Sequence, residues 1–270
     1  MINLATSLSI IPFVVFVLLL LWKRMSLLKT SLITLVIYTL LTFFYWKILP
    51  SLLIVSYGKG VLIAFDIFII IFGAIFFLEI LRDFKVIESI SYYLETFSKD
   101  YRVQIIILAW FFEAFIEGTA GFGTPGAIVA PLLIGIGLSP IRSLIIALLG
   151  NSTPVLFGAA GTPIRIGFAG LDYAGVPLVA SLINCTGFII PIFMLWIASS
   201  KRENGKEEFK EGLPFAIWSG VVFVVVSVLM VLLLGQEFPS IIGSVIALVI
   251  IMTTIKLKIF TPKTIRKFND

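Results

Sequence analysis

Two carboxylates four residues apart, Glu113 and Glu117, stand inside the apolar stretch FEAFIEGTAGFGTPGAIVAP, which runs from Phe112 to Pro131 and turns abruptly rich in glycine and proline. On a helix the pair shares one face, about 6 Å apart along the axis. If that helix starts near Val103, Glu113 lies roughly 15 Å in, near the middle of a bilayer. There, desolvation and like-charge repulsion both oppose ionising the two together, so a proton-accepting site is expected. The plainer alternative is a polar seam between packed helices. The glycines and prolines add a second constraint. Broken backbone cannot pair with water in hydrocarbon, so it survives only where protein buries it or where it lines a polar cavity.

A second break follows at GNSTPVLFGAAGTPIRIG, Gly150 to Gly167, in which Gly161-Thr162-Pro163 echoes Gly123-Thr124-Pro125. Paired, short, Gly/Pro-interrupted segments are the sequence pointer to a transporter binding site, because half-helix N-termini present free N–H groups and partial positive charge to an anion. The candidate anion ligands are Gly118, Thr119, Gly121, Gly123 and Thr124 in the first break. In the second they are Asn151, Ser152, Thr153, Gly158, Gly161 and Thr162. Arg165, outside the main basic clusters, is a candidate bidentate clamp for a carboxylate or else an ordinary loop charge. Asp66, about five residues into its own apolar run, is a candidate proton relay beside Glu113 and Glu117. Asp172 could line the pathway, whereas Glu79 beside Arg82 reads as an interfacial ion pair.

The elements that must position these groups are membrane helices. Of 270 residues, 60% are hydrophobic and 13% charged, and histidine is absent; mean hydropathy is +1.14. The expected fold is all-α and polytopic, with about eight or nine transmembrane or half-membrane helices, two of them broken, in a single transmembrane domain over 1–270. Apolar runs fall near 4–22, 30–46, 61–81, 103–117, 126–138, 143–158, 174–199, 213–234 and 238–255. The pieces 103–117 and 126–138 are either two crossings or one re-entrant hairpin, and the second is short for a full crossing. The first run has no basic residues before it and no evident cleavage site, so it is expected to be a retained helix.

Alternating these segments from an outside N-terminus places 17 of the 20 Lys and Arg residues on one side, all but Lys47, Lys59 and Arg165. That side is expected to be cytoplasmic, with a basic tail over 256–270. The same topology accounts for the pI near 9.3, and nucleic-acid binding is not expected. The single cysteine, Cys185, excludes an intrachain disulfide and a cysteine-based metal site. No metal or cofactor is expected, and the absence of a P-loop, an HExxH or a GxSxG motif argues against an enzyme. Without histidine, proton coupling must run through carboxylates, water or substrate.

The segments EGTAGFGTPGAI from Glu117, LIGIGLSP from Leu133 and GNSTPVLFGAAGTP from Gly150 resemble the L-lactate permease family, and LPFAIWSG and FPSIIGSVIAL extend the likeness toward the C-terminus. The resemblance implies proton symport of L-lactate or related 2-hydroxymonocarboxylates such as glycolate across the plasma membrane. It carries over onto Glu117, Gly118, Ala120, Gly121, Phe122, Gly123 and Pro125, and onto Asn151, Pro154, Phe157, Gly158, Ala159 and Pro163. Members of that family are about twice this length, so the chain resembles their N-terminal half, one half of a secondary transporter. A C-terminal-half polypeptide or a homo-oligomer is then expected to complete the site. The alternatives are a non-transporting membrane subunit, a truncated fragment, or a transporter of another small carboxylate coupled to sodium.

Overall fold

The computed structural model describes residues 4–267 except 87–88, 90–91, 94–95, 122, 169–170 and 172–173. Every regular element among the described residues is helical. The chain divides into two compact units, 1–68 and 69–270.

In the first unit, α1 (Leu4–Leu21) and α2 (Leu27–Phe44) pack on each other. From Ile10 onward α1 is apolar throughout, whereas α2 carries Lys29 and several hydroxyl side chains, with Thr30 and Thr42 buried. The next helix, α3 (Pro50–Asp83), starts in this unit with proline in its first turn, where a missing N–H costs nothing. The division between the units falls within it.

The second unit is built around one buried post. Tyr101–Ala120 runs as α4 (Tyr101–Ile106), a π-helical turn (Ile107–Phe112) and α5 (Glu113–Ala120). Residues Ile105 to Phe111 are fully buried. The widened turn alters the angular register immediately before Glu113, and such turns collect at functional sites. Around the post stand α6 (Thr124–Ile136), α7 (Pro140–Asn151), a 3-10 turn (Pro154–Phe157) and α8 (Gly158–Gly167). They are followed by α9 (Val176–Asn184), a second 3-10 turn (Cys185–Ile189), α10 (Ile190–Ser199) and α11 (Gly205–Leu234). A π turn (Pro239–Gly243) and α12 (Ser244–Lys256) close the unit. Trp110 packs on Phe223 of α11 with ring centroids 4.9 Å apart, which ties the centre of the post to the longest surrounding helix.

The chain is thus a multi-pass membrane protein, but with fewer full-length spans than the apolar runs suggest. Among the described residues six helices are long and apolar enough to cross a membrane. A seventh span results if α7 and the segment Pro154–Gly167, bent by 51°, are taken together. The run at 126–138 becomes a shorter apolar helix. With 13 residues, α6 covers about 20 Å of a hydrocarbon core about 30 Å thick. The piece before it is longer than 103–117, because a capped turn at Asp100 starts the helix at Tyr101: the Asp100 carboxylate accepts from the Arg102 amide at 2.9 Å.

Candidate functional site

Glu113 and Glu117 lie on one face of α5, and both are buried, at 0% and 1% exposure. The helix ends three residues after Glu117. Gly121 donates its amide to the Glu117 carbonyl at 2.8 Å and then leaves the helix at φ 65°, ψ −162°. Gly123, at φ 74°, starts α6. Both conformations lie in the left-handed half of backbone space, where a side chain would be strained. This is why the turn between two apolar helices is glycine-rich.

The second break is built differently. After α7 ends at Asn151, the chain passes through the 3-10 turn and reaches three consecutive left-handed residues, Ala159 (φ 43°), Ala160 (φ 52°) and Gly161 (φ 74°). Two of them are alanines, each of which carries strain of about 1–2 kcal/mol in that region. Regular helix resumes only for Thr162 to Gly167, so the half-helix expected here is a short turn. The longer N-terminus facing the site is that of α6.

The structure brings the two breaks together on the Glu117 carboxyl. The Gly123 backbone amide and the Asn151 side chain both reach it, while Oε2 has no hydrogen-bond partner among the described residues. Gly158 lies directly against Oε1, leaving no room for a side chain. Beside it, a Cβ on Gly121 would stand 2.7 Å from the Ala159 Cβ. One turn back, Glu113 faces α7: a Cβ on Gly150 would meet Glu113 Oε2 at 2.7 Å and would collide with the Ala109 carbonyl. Neither oxygen of Glu113 has a hydrogen-bond partner among the described residues. A carboxylate buried without a partner costs several kcal/mol or more.

A third wall was not read from the sequence. The stretch Gln236 to Gly243 between α11 and α12 packs on both breaks. A Cβ on Gly118 would lie 2.6 Å from the Ser240 carbonyl carbon, and one on Gly161 would lie 2.7 Å from the Gln236 carbonyl oxygen. The Ser240 hydroxyl donates to the Pro154 carbonyl at 2.8 Å. Gln236 is 7% exposed, and its Oε1 has no partner among the described residues. The available signal was Gly235-Gln236-Glu237 followed by Pro239, a polar, proline-marked interruption between two apolar runs.

The remaining candidates divide. Thr119, Ser152 and Thr162 donate their hydroxyls to backbone carbonyls within their own turns, to Ile116 at 3.0 Å, Leu149 at 2.6 Å and Ala159 at 2.5 Å. Their lone pairs can still accept. Thr153 is buried, its side chain packed where Gly187 has none, and its carbonyl accepts from Asn184 Nδ2 at 2.9 Å. Thr124 opens α6. Ser152 and Arg165 are exposed, Arg165 in the last turn of α8, and Asp66 is exposed on α3 within the first unit. Phe122 and Asp172 lie outside the described residues.

Comparison with known proteins places the chain in a family. The model of the L-lactate permease family matches residues 6–270. An L-lactate permease of Streptococcus iniae is 32% identical over 201 residues, 74% of this chain and 42% of that protein. The L-lactate permease of Escherichia coli K12 is 32% identical over 203 residues, 74% of this chain and 36% of that protein. The Bacillus subtilis protein of the same name is 35% identical over 172 residues, 63% of this chain and 29% of that protein. The chain therefore spans less than half the length of these relatives. No solved structure matches it. The match extends across both breaks and the wall between α11 and α12, and on that basis the chain belongs to the L-lactate permease family.

Proposed function

We propose that the chain is a component of a secondary transporter that carries L-lactate, or a related 2-hydroxymonocarboxylate such as glycolate, across the plasma membrane together with a proton. One observation carries the reading: the Glu117 carboxyl sits where the two breaks meet, against Gly158 and within reach of the Gly123 amide and the Asn151 side chain. An N–H at the start of α6 is what a substrate carboxylate would seek. Ionised Glu117 occupies that donor itself. Protonation of Glu117 weakens its hold and frees the donor for lactate, so proton and anion enter together and the loaded site is close to neutral. A neutral site is the one that can change orientation in a low-dielectric interior.

In this reading Glu113, one turn deeper, is the second proton station. Asn151 and the threonine hydroxyls at 119, 153 and 162 accommodate the 2-hydroxyl and carboxylate oxygens. The N-terminus lies outside and the 256–270 tail inside, as the distribution of basic residues supports. The chain acts as one membrane half-site with no enzymatic step, completed by a C-terminal-half polypeptide or a second copy.

The test is uptake of labelled L-lactate into proteoliposomes containing the full 270-residue chain, with and without an inward proton gradient. Gradient-dependent uptake by the chain alone supports symport by an oligomer. Uptake that appears only on reconstitution with a C-terminal half supports a split transporter. Absence of uptake in both cases, from folded protein, overturns the proposal.

A further inference from the structure

A second polar site lies at the ends of two membrane-length helices, Tyr101–Ala120 and Pro239–Lys256, away from Glu113 and Glu117. Beyond α12 the chain turns back through Lys258 (φ 56°) and Phe260 (φ 56°) and runs alongside the start of the buried post. There the Tyr101 amide donates to the Arg266 carbonyl and the Arg266 amide donates to Asp100 Oδ2, both at 3.0 Å. Between the two strands of chain is a cavity of about 570 Å³, within the size range of small-molecule sites.

Three lysines line it: Lys99 from one side, Lys258 and Lys263 from the other. All three are exposed. A fourth, Lys256, lies 5.8 Å from the ring of Phe97, which also lines the cavity. The single carboxylate among the described lining residues, Asp100, is already engaged. Its two oxygens accept from Arg102 Nε at 2.9 Å and Nη2 at 2.7 Å. The cavity is therefore net positive and offers the hydroxyls of Thr96, Ser98 and Thr261 alongside the ammonium groups. Its inner wall is apolar, formed by Val103 and Ile255, while Ile265 is exposed.

The frame is rigid. Arg102, with a fully buried side chain, also donates to Glu211 Oε2 at 3.0 Å and to the Thr264 carbonyl at 2.6 Å. Glu211 in turn accepts from the Thr264 amide and hydroxyl, both at 2.6 Å. Lysines that serve only to orient a membrane protein need no such arrangement, since topology requires their number near the span ends and not their convergence on a cavity. Ammonium groups from separate segments, flanked by hydroxyls and backed by an apolar wall at the ends of two membrane-length helices, are complementary to a phosphate with acyl chains attached.

We propose that this cavity binds the phosphate of an anionic phospholipid headgroup, with the acyl chains lying along the Val103, Ile255 and Ile265 side. A soluble phosphate ester shares the headgroup chemistry and is separated from the lipid by the test. The full chain, purified in detergent, is titrated with short-chain phosphatidylglycerol, short-chain phosphatidylcholine and glycerol 3-phosphate, with binding read by native mass spectrometry and thermal shift. Saturable binding of phosphatidylglycerol at least tenfold tighter than phosphatidylcholine is expected. The combined Lys99→Gln, Lys258→Gln, Lys263→Gln variant should lose that preference, whereas Lys23→Gln, Lys29→Gln, Lys206→Gln, with the same loss of charge elsewhere, should keep it. Equal loss in both triple variants, or no preference in the parent chain, overturns the proposal. Glycerol 3-phosphate binding as tightly as the lipid would overturn the lipid assignment and leave a soluble phosphate ester as occupant. Should the pocket variant fold poorly, Lys258→Glu alone, on the exposed turn, gives the same reading.

Discussion

The carboxyl of Glu117 rests against the bare Cα of Gly158, so that a methyl group on Gly158 would overlap its Oε1. One contact thus joins a buried carboxyl of α5 to the break that follows α7. Replacing Gly158 with alanine should displace the carboxyl from the Gly123 amide and lower lactate uptake at least tenfold. Overpacking of this kind costs about 1–3 kcal/mol. Shortening the acid should make room, so Gly158→Ala combined with Glu117→Asp is expected to recover part of the uptake lost by the single variant. No recovery in the pair would separate the two residues functionally.

Glu117→Gln keeps the size of the side chain but removes the titrating group. Uptake driven by a proton gradient is expected to fall at least tenfold, and what remains should respond little to external pH. A counterflow assay, which needs no net proton movement, distinguishes lost coupling from lost binding. A normal pH-driven uptake in this variant would remove Glu117 from the coupling role.

Gly150 permits α7 to cross the buried post at the Ala109 carbonyl, with Glu113 alongside. Gly150→Ala cannot be accommodated by moving a flexible side chain, because the collision is with backbone. Destabilisation of about 1–3 kcal/mol or more is expected, measurable as a fall in the unfolding temperature in detergent. An unchanged midpoint would show that the two helices separate easily.

Ala160 carries a left-handed backbone, φ 52° and ψ 49°, and is only partly buried. Ala160→Gly should relieve that strain and stabilise the protein by about 0.5–1 kcal/mol after allowance for the added flexibility of the unfolded chain. The sign of the shift in unfolding midpoint is the readout. A loss of stability would mean that the alanine methyl contributes more through packing than the backbone loses.

Arg102 holds Asp100, Glu211 and the Thr264 carbonyl together from a fully buried position. Arg102→Met leaves Asp100 and Glu211 without their cation and should cost about 3–5 kcal/mol, the range for breaking one partner of a buried pair. The segment around Thr264 to Lys267 should then be cleaved more rapidly by a protease than in the parent chain. Equal cleavage rates would show that the tail is held by its other contacts.

The membrane class, the two broken segments and the carboxylates Glu113 and Glu117 were all legible in the residues, because hydropathy, backbone-breaking composition and four-residue helical spacing are local properties. The same local signals overstated the number of full spans: the apolar run at 126–138 has the composition of a crossing without its helical length, and the run at 143–158 is bent at Ser152 to Thr153. Hydropathy reports what a segment can dissolve in, and a helix end is set by single residues such as Gly123 and Gly137, which takes φ 118°.

Which break meets which side chain was decided only in three dimensions. The contact of Glu117 with Gly158 joins residues 41 positions apart in number, and Gln236 and Ser240 approach Gly161, Gly118 and Pro154 from still farther along the chain. Such approaches depend on the packing of whole helices, on where a missing Cβ lets two backbones close, and on a buried arginine that fixes the tail. None of these leaves a periodic mark in the sequence. The sequence by itself determined that this protein lives in a membrane and carries polar, broken backbone within it. The tertiary structure decided that the two breaks and a third wall converge on one carboxyl, because only long-range packing selects which gaps in the backbone face each other.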